Sequence, residues 1–461
     1  MAASNRSRVK VKKKATKSRT GGSALSFSRF SKKQLMIAGI LVVFLGIFVA
    51  FFAFAASPSQ TEPESWSKSE QRAAGNMNGC VETVNDPSAS DGKYIQFGCS
   101  EMPVDHTMDC TPGIGSMSAM GPCINNALIP AAQAGVSGSK FFSTATTPST
   151  MGSSYDSFRT RCDFSHMNYD DPLLYLNQPN RAHLHAFFGN SNTNASSTSQ
   201  SLRNTGNSTC ASGTFNRSAY WVPAMIDSSN GRPITPNDDR GSYNSDLEIY
   251  YKIGYQGIGY DSIEPFPEGF QMIAGNSANA TTASPAVRGG KQPVHYYCES
   301  SAPDDRTRGR EALHIPVCTS GEVLVMHIIF PQCWDGVNLS STNGRSHVEY
   351  GIWNGDNLPN TPIGQSTGCP STHPKSLLGV EMFVRYRVPQ GTDTRNWRLS
   401  SDNYTNGPGG YSGHADYIFA WDPAAFPTIV QRCASKLRDC GYTLGDGRDL
   451  VTIRYWNRNS Y

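Results

Sequence analysis

Acidic residues are missing from the first 56 positions and cysteine from the first 79. The same 56 positions hold eleven of the 40 Lys and Arg, so the remainder carries 29 basic against 37 acidic side chains. A mildly acidic bulk argues against nucleic acid as the principal partner, despite a formal net charge of +3 for the whole chain. The sequence also has no C-x-x-C pair, which removes zinc-ribbon and thioredoxin-like sites. It has no G-x-S-x-G elbow, Walker loop or H-E-x-x-H, which removes the simplest hydrolase, nucleotide-binding and zincin readings. No internal repeat is visible, and strongly periodic long helices are scarce.

What is present divides the chain. Residues 35–56, LMIAGILVVFLGIFVAFFAFAA, form one uncharged apolar run of 22 residues. A helix rising about 1.5 Å per residue would carry that run across a hydrocarbon core of about 30 Å. The basic flank at 1–34 predicts a cytoplasmic tail, with 35–56 as a single-pass signal-anchor and the bulk outside the cell. Ala53-Phe54-Ala55 resembles a cleavage site, so a removed signal peptide is the competing reading. Residues 57–78 read as a polar linker. Residues 79–157 read as a cysteine-containing lead-in and Gly/Ser/Thr-rich connection, and 158–461 as the main extracellular domain.

All twelve cysteines fall beyond the apolar run, an even number on the exported side, as a disulfide framework in an oxidising compartment requires. From Phe158 onward, short runs rich in aromatic and β-branched residues alternate with Gly, Pro, Asn and Asp. SDLEIYYKIGY (245–255) and EMFVRYRV (381–388) alternate as half-buried strands do, and EVLVMHIIF (322–330) is apolar on both faces. The expected class is mainly β, a sandwich or jelly-roll-like core with long disulfide-stapled loops plus the N-terminal transmembrane helix. The best helix candidate, FPTIVQRCASKLRDC (426–440), would hold Cys433 and Cys440 about 10.5 Å apart if unbroken. Either it ends before Cys440 or each cysteine bonds elsewhere.

Only ten histidines occur, yet two sit one residue apart in RAHLHAFFGN (181–190). On an extended strand His183 and His185 would face the same way. Such a pair could hold a divalent transition metal, move protons, or sit on a wet surface. His414 and Asp416, also at i, i+2, suit an oriented base or a structural network. His347 with Glu349 reads as a solvated strand face, and His327 as a satisfied core histidine. His106, His295 and His314 have no suggestive company. Aromatic and amide residues surround the same segments, and Tyr220, Trp221, Trp334, Asp335 and Asn338 could meet the faces and hydroxyls of a sugar. The competing reading makes each aromatic part of the core.

Taken in order, FRTRCDFSHMNYDDPLLYLNQPNRAHLHAFFGNSNTN, NRSAYWVPAMID, FPQCWDGVNL, RSHVEY, CPSTHP and SGHADYIFAWD resemble the domain of unknown function DUF1996 over roughly 158–440. The family occurs in secreted proteins, sometimes beside modules implicated in carbohydrate binding, and no activity is attached to it. The resemblance implies that Asp170, Asp171, the H-x-H block, the C-W-D-G block, His347, His373 and the H-A-D block at His414–Asp416 are family features; Glu349 is not. It adds His347 and His373 to His183, His185 and His414 as an expected metal set. His183, His185, His414 and Asp416 become the expected catalytic groups, with Trp334, Asp335, Tyr220 and Trp221 as the substrate contacts. The resulting expectation is a membrane-tethered protein acting on or recognising cell-wall or environmental polysaccharide. The alternatives are a non-catalytic glycan-binding or adhesion module, and an extracellular metal-binding protein.

Overall fold

A computed structural model describes residues 81–85, 93–97, 121–144, 147–150, 156–239, 245–253, 263–287, 292–300, 311–351, 368–403 and 407–454. The chain falls into two compact units, 1–102 and 103–461. In the first, Val81–Asn85 pairs antiparallel with Lys93–Phe97. The apolar run 35–56 lies outside the described residues, among which no helix is long and apolar enough to cross a membrane.

The second unit is mainly β, as expected. Two five-stranded antiparallel sheets dominate it. Sheet I runs, in spatial order, Gln271–Gly275, His414–Ile418, Ala219–Pro223, His185–Gly189 and Phe164–Asn168. Sheet II runs Val294–Glu299, Val323–Ile329, Gly379–Arg387, Leu247–Lys252 and Asp156–Cys162. The period-2 alternation of a strand decides which residues meet. Phe188, Tyr220, Val222, Met272, Ala274, Ala415 and Tyr417 of sheet I share one core with Ile249, Tyr251, Leu324, Met326, Ile328, Met382 and Val384 of sheet II. The Tyr220 and Tyr251 hydroxyls meet at 3.2 Å inside it, and the Tyr220 and Tyr417 rings stack with centroids 4.9 Å apart.

Val323–Ile329 is buried on both faces, as its unbroken apolar run predicts. Its even positions enter the shared core. Val323 and Val325 pack on the other side with Tyr297 and Phe383. His327 is indeed a satisfied buried histidine, but its partner corrects the reading of His295. The two are directly opposed across the strands, 2.7 Å apart, and His327 Nε2 lies 3.1 Å from Glu381.

Helices are short. Ser199–Asn204 starts at Thr198, whose side chain accepts from the Ser201 N–H in a capping box. Ala425–Arg432 buries Ala425, Phe426, Ile429 and Val430 along one side. Pro427 sits in its first turn, where a missing N–H costs no helical bond. The helix ends at Arg432, and the chain turns back far enough for Cys433 to bond Cys440 with Cα atoms 5.9 Å apart. That settles the choice left open by the sequence.

Among the described residues, three further disulfides join Cys162 to Cys210, Cys298 to Cys318 and Cys333 to Cys369. The Cys162–Cys210 bridge ties the edge of sheet II to the segment leading into sheet I, and it spans 48 residues that include His183 and His185. Chain entropy assigns about 4 kcal/mol to a loop of that length and about 2 kcal/mol to the seven-residue Cys433–Cys440 loop. Urea denaturation should therefore show Cys162→Ala/Cys210→Ala losing more stability than Cys433→Ala/Cys440→Ala. The reverse order would contradict this account of the framework.

Candidate metal centre

The outer face of sheet I, turned away from the shared core, carries the polar side chains of interest. Strand parity sends Ala415 and Tyr417 inward, so His414 and Asp416 point outward; Ala186 and Phe188 inward, so His185 and Phe187 outward. Register then aligns them. Asp416 lies opposite Trp221, which lies opposite Phe187, and Gly275 lies opposite His414 while Pro223 lies opposite His185. Gly275 has φ +88°, and a Cβ there would come 2.8 Å from His414 Cα and 2.5 Å from Gly413 O, so only glycine fits beside the imidazole strand.

His183 does not belong to the strand, which begins at His185. It lies in the approach, where Ala182 N–H donates to Tyr169 O and Ala224 N–H to Leu184 O. That approach still brings its ring to the other two. Ring centroids are 4.2 Å apart for His183 and His185, 5.0 Å for His183 and His414, and 5.9 Å for His185 and His414. One potential ligand nitrogen from each lies within 4.8 Å of the others. His185 and His414 are buried; the edge of His183 reaches solvent while its Nε2 is buried.

Hydrogen bonds fix the tautomers. His185 Nδ1 is 3.0 Å from Asp170 O, and His414 Nδ1 is 2.7 Å from Ser412 O. A carbonyl oxygen only accepts, so each Nδ1 carries the proton and each Nε2 keeps its lone pair. The buried Nε2 atoms of His183 and His185 have no hydrogen-bond partner. Burial, reinforced by the neighbouring imidazoles, holds His183 and His185 far below the usual histidine range. Burial, with the nearby Arg345 charge, lowers His414 to about 3. Three neutral imidazoles with free lone pairs are what zinc, copper or another borderline divalent ion takes; oxygen-seeking calcium and magnesium would not choose them. Two nitrogens on one tetrahedral ion, each at about 2.0–2.1 Å, stand about 3.3–3.4 Å apart. A pair at the 4.8 Å limit would have to close by about 1.4 Å to share such an ion.

Beside the imidazoles is a set of buried charges. Neither oxygen of Asp416, 1 % exposed, has a hydrogen-bond partner, and burial with the Asp171 charge raises its pKa well above the ordinary range. Asp171 accepts from the Leu173 and Leu174 N–H groups, and burial lifts it to about 6. Arg345 stands in the field of both, its guanidinium donating to Gly275 O and Asn276 O. Trp221 Nε1 is likewise buried without a partner.

The five-histidine set expected from the sequence is therefore only partly assembled. His347 is buried, not on a solvated strand face. Its Nε2–H donates to Gln271 O at 2.7 Å and its Nδ1 accepts from Ser341 at 3.0 Å, so both nitrogens are spent clamping the edge of sheet I. His373 fastens the CPSTHP loop, with Nε2 3.2 Å from Ser346 O. The substrate contacts need correction too. Tyr220 is sealed in the shared core, and Trp221 is buried and stacked on Phe187 at 5.5 Å, so neither offers a free ring face. Trp334 remains partly exposed, donating from Nε1 to Asn338 O. Asp335 caps its own turn by accepting from Val337 and Asn338 N–H groups. Arg345 escaped notice in the sequence, although RSHVEY contains it.

These features define a mainly β, disulfide-rich domain with a buried three-imidazole cluster that could hold a metal ion. The model for the domain of unknown function DUF1996 matches residues 171–421, more than half of the chain, and the protein belongs to that family. No curated protein and no solved structure matches it.

Proposed function

We propose that His183, His185 and His414 hold one divalent transition ion, and that the protein presents this centre outside the cell from a single-pass membrane anchor. The observation that supports the reading best is that His183 and His185 keep buried Nε2 atoms without a partner, while the Nδ1–H bonds of His185 and His414 to backbone carbonyls leave their Nε2 lone pairs for an ion. Buried polar atoms without partners are rare in proteins and ask for an ion or water. The four disulfides joining described residues suit an oxidising, extracellular setting. The two sheets sharing a core fit a sandwich.

On this reading the centre acts on or recognises cell-wall or environmental polysaccharide. The ion would supply Lewis acidity towards an oxygen of the substrate. Asp416 would hold or release a proton next to it, Arg345 would balance charge, and Trp334 with Asp335 would form the outer contact. The burial of His185 and His414 favours a second reading, in which the ion is captured without turnover.

Elemental analysis of the tag-free full-length protein tests the proposal. About one equivalent of zinc, copper or a similar ion is expected, lost in His183→Ala/His185→Ala. A metal content unchanged by that double substitution would overturn it. Incubation of the loaded protein with a polysaccharide panel then separates product release from capture alone.

A further inference from the structure

Two buried aspartates stand behind the imidazoles. Asp402, 0 % exposed, accepts four hydrogen bonds: from the Leu399 N–H at 2.9 Å, the Gly410 N–H at 2.7 Å, the Ser412 N–H at 3.3 Å and the Ser412 hydroxyl. An ionised carboxylate is acceptor-only with about four lone-pair sites, so it answers four convergent donors where an amide could not. The effect is to weld 399–402 to 410–412 immediately before the His414 strand, and the Ser412 carbonyl is the group that receives His414 Nδ1–H.

Asp170 does the equivalent for His185 by a shorter route. Its carboxylate accepts from the Asn180 N–H at 2.9 Å and the Ala195 N–H at 3.0 Å, joining two loops over the sheet. Its own carbonyl receives His185 Nδ1–H. In both cases the direction of a backbone carbonyl sets the tautomer and tilt of an imidazole, and a buried carboxylate sets the direction of the carbonyl.

We infer that Asp402, acting through Ser412, and Asp170, acting through its own carbonyl, are positioning residues that hold His414 and His185 with Nδ1 protonated and Nε2 turned into the cluster. Neither touches the cluster's free nitrogens. The consequence for metal affinity rests on the proposed metal reading; the consequence for the tautomers does not. Outer-shell partners of metal-binding histidines typically contribute about 10–100-fold to affinity.

Nuclear magnetic resonance of the full-length, metal-free protein in detergent, with 15N-labelled histidine, reads the tautomers directly. A Co2+ titration on the same samples reads affinity and ligand field. The wild type is expected to show His185 and His414 as Nδ1–H tautomers. Ser412→Ala keeps the carbonyl but removes the hydroxyl held by Asp402. It should mix the His414 tautomers, leave His185 unchanged and weaken Co2+ by about tenfold. Asp402→Asn should weaken it further, and if that variant fails to fold, Ser412→Ala carries the test alone. Ser208→Ala, which removes a buried 2.6 Å bond from the Ser208 hydroxyl to Asn216 O and touches neither Ser412 nor the imidazoles, is the structural control and should leave tautomers and affinity unchanged. A Ser412→Ala protein with a wild-type His414 tautomer would overturn the inference. Wild-type protein that shows the expected tautomers and their change in Ser412→Ala, but takes no Co2+, would leave the positioning intact and sink the metal reading.

Discussion

Replacing His185 with alanine should lower the affinity for Zn2+ or Cu2+ by more than about 100-fold, since even loss of an outer-shell partner costs about 10–100-fold. His185 is the fully buried ligand of the three, its ring 4.2 Å from the His183 ring and 5.9 Å from the His414 ring by centroids. Without it, two imidazoles remain, one reached from the coil before the strand and one two strands away. The substitution also removes the bond to Asp170 O, which leaves that carbonyl without its imidazole donor. His347→Ala is the discriminating comparison. It should destabilise the edge of sheet I, because Gln271 O loses its donor, yet leave metal affinity within about threefold of wild type. Competition against a calibrated chelator measures both. Equal losses in the two variants would restore the wider histidine set and contradict the three-residue centre.

Acid should displace the metal far less readily than from ordinary surface histidines. A proton and an ion compete for the same Nε2 lone pair. An exposed imidazole with a pKa near 6.5 therefore weakens binding by up to tenfold for each pH unit below that value. Three such ligands would lose about three to four orders of magnitude or more between pH 7 and pH 5. Here burial depresses all three, His414 to about 3 and the other two well below the ordinary value, so protons gain little ground until the solution is far more acidic. Affinity measured from pH 7 to pH 5 should change by less than about tenfold. A fall of a thousandfold over that interval would mean that the imidazoles titrate as surface groups and that the cluster is open to water.

The sequence exposed some of this architecture because certain signals survive without tertiary context. EVLVMHIIF reads as a strand buried on both sides, and it is. The H-x-H pair announced itself by rarity, and the H-A-D block completed the cluster through resemblance to a family. What remained hidden depended on burial that no local pattern encodes. His347 and Glu349 share the spacing of a solvated strand face, yet His347 is buried, with one nitrogen bonded to Gln271 O on the edge of sheet I and the other to Ser341 in its own loop. Tyr220 and Trp221 look like a sugar platform until sheet I is covered on both faces, at which point alternation buries one on each side. Asp402, in a run of serine and asparagine, has the appearance of an ordinary turn residue. Its four donors come from Leu399, Gly410 and Ser412, and only the fold of that loop gathers them.

X-ray absorption spectroscopy of the full-length protein loaded with one equivalent of Zn2+ bears most directly on the three-imidazole centre. The expected spectrum has three imidazole nitrogens at about 2.0 Å and no sulfur, with one imidazole lost in His414→Ala. A spectrum without imidazole scattering, or one unchanged by that substitution, would contradict it.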